Sequence, residues 1–246
     1  MADIVDIWLA ALDARHLANL TPAEVARALR ALSSCYVERR ARLTSGAALD
    51  SAGKRAAFAL FYGPLHFLIV REIVRALGEE IGPLREIADL GCGTGSAGAA
   101  WALHCGARVL GTDRHPWAVD EANRTYRDLK TSGRASQGDI TRVRINGKKG
   151  LGILAAYSVN ELKDEFRNTL LQTFVDAQAR GARILIVEPI ARRLTPWWGH
   201  WERAVTQAGG RADEWRFPAD LPARQKSLAK AAGLDPRELT ARTLTF

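Results

Sequence analysis

The chain has 246 residues, of which 47% are hydrophobic and 25% charged, and its formal net charge is +8. That length buries a sizeable core without cross-links, and the composition is that of a globular chain rather than a disordered or fibrous one. Three cysteines, Cys35, Cys92 and Cys105, form no C-x-x-C pair; this argues against a disulfide framework or a structural zinc site, so no metal is expected and a reducing, cytoplasmic setting is.

Met1 leads into Asp3, Asp6 and a helical pattern, with no basic and then apolar leader. The longest apolar stretch, residues 56–70, is interrupted by Gly63, Pro64 and His66 and reads as too short to span a bilayer, so no membrane partner is expected. The positive balance permits attraction to nucleic acid. Its arginines, among them Arg27, Arg30, Arg39, Arg40, Arg42, Arg192, Arg193 and Arg224, are spread along the chain, and a basic composition without a partner is an equal reading.

Residues 1 to about 80 read as helices. Thr21-Pro22-Ala23-Glu24 is a capping box with proline at the first helical position, followed by Val25, Leu29, Leu32 and Tyr36 at helical spacing. A second helix begins near Asp50 or Ser51 and runs to Leu77, with a kink at Gly63-Pro64 and Gly78 as its stop. After Pro83 short apolar runs alternate with helical patterns. Strands are predicted at 87–90, 108–112, somewhere within 134–145, 152–156 and 183–187, with helices at 96–104, 116–130 and 161–180 between them. The tail adds helices near 198–208 and 224–232 and strands near 215–217 and 239–246. Such alternation predicts a parallel sheet covered on both faces.

Asp89-Leu90-Gly91-Cys92-Gly93-Thr94-Gly95 closes the first strand and opens a helix. An open parallel sheet binds its ligand at that address. Gly93-x-Gly95-x-x-Gly98 also matches a dinucleotide fingerprint. Against a dinucleotide, the loop starts at Gly91, two residues before that frame, and Asp89 puts a carboxylate where a pyrophosphate wants a clear helix N-terminus. A second acidic site, Gly138-Asp139-Ile140, suits an adenine edge: the carboxylate accepts from the amino group while the next N–H pairs with a ring nitrogen.

The glycine loop, then Thr112-Asp113, then Gly138-Asp139-Ile140 resemble the class I S-adenosylmethionine (SAM)-dependent methyltransferase pattern over about residues 85–190. The resemblance implies an α/β fold with a Rossmann-like seven-stranded sheet over residues 83–246 and SAM as cofactor; residues 1–82 are a helical extension whose kinked helix, just before the first strand, can fold over the cofactor mouth as a lid. It also implies that Gly91, Cys92, Gly93 and Gly95 wrap the methionine moiety and Asp89 holds its amino end. Asp113 would take the ribose hydroxyls, Arg114 and Trp117 would flank the adenine, and Asp139 and Ile140 would read its edge.

Around the methyl group, the resemblance directs attention to residues 155–162 after the fourth strand, where Tyr157 and Asn160 are the best candidates for contacts. Asn160 is equally a helix N-cap before Glu161. Glu188 at the end of the fifth strand is a candidate base or a solvated carboxylate. In Trp197-Trp198-Gly199-His200-Trp201 the tryptophans read mainly as helix packing, and His200 as a proton-accepting candidate. Tyr62 and His66, four apart, share a helix face and can position an acceptor.

The Tyr62-x-Pro64 helix, the stretch Ala-Ala-Tyr-Ser-Val-Asn-Glu-Leu and Leu-Ile-Val-Glu-Pro are also similar to the methyltransferase-like family related to the mitochondrial small-ribosomal-subunit assembly factor. That family's metal-binding cysteine cluster and its additional carboxy-terminal region are missing from this sequence. The expected activity is methyl transfer to a small-molecule acceptor. The alternatives are an RNA (rRNA) methyltransferase and a non-catalytic SAM-binding ribosome assembly factor.

Overall fold

A computed structural model describes residues 3–38, 49–192, 195–234 and 237–246, without the side chains of 35–38. Arg39, Arg40, Arg42 and Arg193, and the side chains of Cys35 and Tyr36, therefore lie outside the described residues.

Seven strands form one sheet: β1 Glu86–Leu90, β2 Arg108–Asp113, β3 Gly133–Gln137, β4 Leu151–Ala156, β5 Arg183–Glu188, β6 Arg211–Pro218 and β7 Glu238–Thr245. Their order is β3-β2-β1-β4-β5-β7-β6, with β7 antiparallel to both neighbours and the rest parallel. The central strands are buried along nearly their whole length, as strands covered on both faces must be. Their side chains alternate between two cores with a period of two. On β5, Leu185 and Val187 face one core while Ile184 and Ile186 face the other. Because β2 and β4 flank β1 on opposite sides, the loops after β1 and β4 diverge and open a crevice at the strands' carboxyl ends.

The second core is filled by α7 Asp164–Ala179 and α8 Trp198–Gln207, through Phe174, Trp198 and Trp201. The first takes α5 Ser96–Cys105, α6 Pro116–Asp128 and α9 Ala223–Ala232 together with the helices preceding the sheet. Those are α1 Ile4–His16, α2 Pro22–Glu38, α3 Ala52–Ala57 and α4 Gly63–Leu77. The capping box is complete: the Thr21 N–H donates to Glu24 (2.8 Å) and the Glu24 N–H donates to the Thr21 hydroxyl (3.3 Å). Arg15 at the end of α1 bonds the buried Glu121 (2.9 Å) and Asp128 (2.7 Å) of α6. His16 Nε2 adds a 3.1 Å contact to Glu121.

The helix expected to kink at Gly63-Pro64 is instead widened one turn earlier. Phe58–Tyr62 is a π-helical turn, and the Gly63 N–H reaches back to the Phe58 carbonyl. Pro64 has no N–H to offer Leu60, and its ring crowds that carbonyl, so the ladder expands. The freed Leu60 carbonyl accepts from the buried Gln225 side-chain amide (2.8 Å). The helical stretch Ala52–Ile81 runs 30 residues, long and apolar enough to cross a membrane, which corrects the expectation of a segment too short to do so; 72% of its most apolar window is buried inside the fold.

A second correction concerns α7, which starts at Asp164 rather than at Glu161. Residues 159–161 form a separate 3₁₀ turn, and Leu162 and Lys163 are extended. Asn160 is therefore not a helix N-cap. Its N–H is taken by the Glu188 carboxylate (3.0 Å), which ties the turn to the end of β5 rather than to a helix.

Candidate active site

The glycine loop is shaped by its hydrogen bonds. The N–H groups of Gly91 and Cys92 both donate to the Thr112 carbonyl (2.8 and 3.1 Å), so the chain leaves β1 bent toward β2. Gly91 has φ +72°, and a Cβ there would sit 2.5 Å from the Ser158 Cβ. Only glycine supplies that turn with that approach. Asp113 pins the loop: Oδ2 accepts the Gly93 N–H (2.9 Å) and Oδ1 accepts the His115 N–H (2.8 Å). Each carboxylate oxygen keeps a second lone pair for a ligand.

The loop borders a cavity of ≈ 540 Å³ whose wall, among the described residues, includes five carboxylates, Asp89, Asp113, Asp139, Glu161 and Glu188, and two cationic side chains, Arg114 and Lys163. Such a volume is ordinary for a cofactor or metabolite site. Asp89 is 1% exposed, and among the described residues neither of its oxygens makes a hydrogen bond of good geometry. Burial, with Asp113 nearby, raises its pKa to about 7, and the Gly98 N–H offsets this only in part. An orphaned, buried carboxylate calls for a cationic or hydrogen-bonding ligand group. Asp139, at the mouth, is held below the usual carboxylate range by the Thr141 N–H and hydroxyl. Arg114 reaches Glu161 (3.8 Å), joining the end of β2 to the turn after β4.

Another part of the wall is aromatic and comes from the helices before the sheet. Phe58, Tyr62 and His66 lie on one side of the cavity, and His66 stacks on Tyr157 with ring centroids 4.2 Å apart and planes 16° apart. Tyr157 follows β4 with φ +59°, a left-handed conformation that costs a bulky residue about 1–3 kcal/mol. Its N–H bond to Val187 (2.8 Å) and the stack hold it there. Desolvation pulls His66 down to a pKa of about 4 and, with Glu188 nearby, pushes the Tyr157 phenol up. Glu188 is not a solvated carboxylate: it is 0% exposed and bonded to the Asn160 N–H. The Asn160 Oδ1 accepts from Trp197 Nε1 (3.2 Å).

The fold thus brings Tyr62, His66, Asp89, Gly91, Cys92, Gly93, Asp113, Arg114, Asp139, Ile140, Tyr157 and Asn160 to one cavity. Three expected residues lie elsewhere. Gly95 is left-handed but packs on Tyr126, where a Cβ would meet the ring at 2.8 Å. Trp117 sits beside His16, His115 and Arg55. His200 is exposed on α8, away from the cavity lining. Phe58 and His115 line the cavity although the sequence did not single them out for it. Phe58 reads there as one more core residue on an apolar helix. His115 had a signal, since it follows Asp113 closely at the end of β2.

Residues 87–181 match the family described as a methyltransferase domain. Those residues are a methyltransferase domain, and the fold around them is that of the class I SAM-dependent methyltransferases. Methyltransferases of that class use SAM. The fold of the methyltransferase is similar to that of an O-methyltransferase candidate from Nostoc punctiforme PCC 73102, at 14% identity over 89% of this chain and 71% of that one, with a TM-score of 0.54. It is also similar to the plantazolicin methyltransferase BpumL, solved in complex with S-adenosylhomocysteine (SAH), at 15% identity over 90% and 95% of the two chains and a TM-score of 0.50. No curated protein matches the chain.

Proposed function

We propose that the methyltransferase methylates a small-molecule acceptor inside this cavity, with residues 1–82 acting as its lid. The observation that carries this reading is the cavity wall itself. Leu49, Phe58, Tyr62 and His66 from the helical extension line it together with the glycine loop, and among the described residues carboxylates outnumber cations five to two. A polyanionic strand gains little from such a lining, since nucleic-acid binding rests on cations that neutralise phosphates.

In this reading the glycine loop receives the methionine moiety, and the Asp89 carboxylate faces its ammonium group. Asp113 accepts the ribose hydroxyls, and Asp139 and Ile140 meet the adenine edge. SAM, when bound, supplies a methyl carbon activated by its sulfonium. The residues of the chain align the acceptor with that carbon, exclude water and take up a proton. Tyr62, His66, Tyr157 and Asn160 surround the acceptor.

The test is incubation of the purified full chain with labelled SAM and a cell extract, followed by separation into RNA, protein and small molecules. Label in the small-molecule fraction is expected. Label confined to RNA, with binding that falls steeply as salt rises, would establish the RNA reading instead.

A further inference from the structure

Resting on the small-molecule reading, we propose that the acceptor is a flat, uncharged aromatic compound with a hydroxyl or ring N–H, which lies along the wall of Phe58, Tyr62, His66 and Tyr157 and donates its protic hydrogen to the His66 imidazole.

The wall is continuous. Phe58 lies 5.9 Å from Tyr62 and 6.1 Å from His66, Tyr62 lies 6.1 Å from His66, and His66 stacks on Tyr157 (centroid distances). Rings at such spacings favour another ring over a saturated body of equal size, by about 0.5–1.5 kcal/mol beyond the area buried. Charge selects as well. Arg114 and Lys163, the two cations of the lining among the described residues, follow β2 and precede α7, and Arg114 already faces Glu161. The buried carboxylate beside Tyr157 is Glu188. An anionic acceptor would meet that carboxylate without a partner of its own, which is costly at a desolvated site.

His66 is the basic group in the wall, beside the phenols of Tyr62 and Tyr157. Its contacts are ring to ring, and among the described residues neither ring nitrogen has a hydrogen bond. Its low pKa keeps the imidazole neutral, with one nitrogen as an acceptor. In the transfer, a lone pair of the acceptor heteroatom forms the new bond to the methyl carbon. The carbon–sulfur bond breaks, and its electron pair returns to sulfur. The acceptor's proton passes to the His66 nitrogen and from there to solvent.

The experiment is calorimetry on the full chain. SAH binding is measured first and tests the cofactor reading separately. The SAH-loaded protein is then titrated with a naphthol, the matching decalinol, naphthoate and methoxynaphthalene. The naphthol is expected to bind, with the decalinol about two- to tenfold weaker and the naphthoate about tenfold weaker or more. The naphthol is also expected to exceed methoxynaphthalene by about two- to tenfold, the worth of one hydrogen bond. In His66→Phe, which keeps a ring but removes the nitrogen, that last preference should vanish; its survival would overturn the role of His66. Equal binding of the saturated or anionic probe, or no naphthol binding by the SAH complex, overturns the proposal. In the labelling experiment, transfer to a saturated metabolite would overturn this inference and leave the small-molecule reading intact, whereas transfer to RNA would overturn both.

Discussion

On the side of β1 and β2 the cavity wall is backbone and carboxylate: a glycine turn, Asp89 under it, and Asp113 pinning it through two N–H groups. On the side of α3 and α4 the wall is aromatic, with one neutral imidazole in it. The first side has the features that fix a zwitterionic nucleoside: close backbone approach and negative charge. The second has few charged groups and a large ring surface, the features that select an acceptor. The helical extension is also tied to the sheet domain where Arg15 and His16 of α1 meet the buried Glu121 of α6.

That junction is where the comparison breaks most easily. Glu121→Ala leaves Arg15 and Arg124 without their buried partner and is expected to cost about 3 kcal/mol of stability in denaturant unfolding. A loss under about 1 kcal/mol would mean that the helical extension does not depend on this ion pair.

The carboxylate side is sharpened by pH. Asp89 keeps its proton up to a pKa of about 7 in the free protein, whereas a ligand ammonium needs the carboxylate. SAH affinity should therefore weaken below pH 7, by up to about tenfold per pH unit, and level off above it. The free protein should show the opposite trend. A raised folded-state pKa contributes stability that is present below the ordinary carboxylate range and is lost as pH rises through 7. In Asp89→Asn both slopes should flatten, and an unchanged slope would remove Asp89 from the ammonium site.

The aromatic side depends on the π-helical turn. Gln225→Leu removes the donor to the Leu60 carbonyl but also removes an unpartnered amide oxygen, so the expected cost is about 1 kcal/mol by thermal unfolding. The smallest effect concerns His66→Phe. If the two walls act separately, this change leaves SAH affinity within about twofold, and a larger loss would show that the aromatic wall also holds the cofactor.

The same contrast explains what could be read from the sequence. Asp89 to Gly95 is a contiguous turn, and Asp113 and Asp139 follow at strand ends, so a local pattern pointed to the cofactor side, and the alternation of apolar runs and helical patterns to the strands themselves. The aromatic wall is a tertiary object. Phe58 looks like any core residue of an apolar helix until Tyr157, far along the chain, is stacked on His66. Pro64 signalled a disturbed helix, but its effect falls on the Leu60 carbonyl, and the partner that satisfies it is on α9. Asn160 has the composition of an N-cap. Its hydrogen bonds to Glu188 and Trp197 depend on strand register and on α8, which local propensity does not encode. His200 stood out because tryptophans surround it in sequence, yet Trp198 and Trp201 turn into the second core and leave the imidazole outside.

The most direct test of the account is calorimetry of the full chain with SAH and, in parallel, with a nicotinamide dinucleotide. The account predicts one-site binding of SAH, severely weakened by Asp113→Ala, and no heat with the dinucleotide. Binding of the dinucleotide with none of SAH or SAM would contradict it.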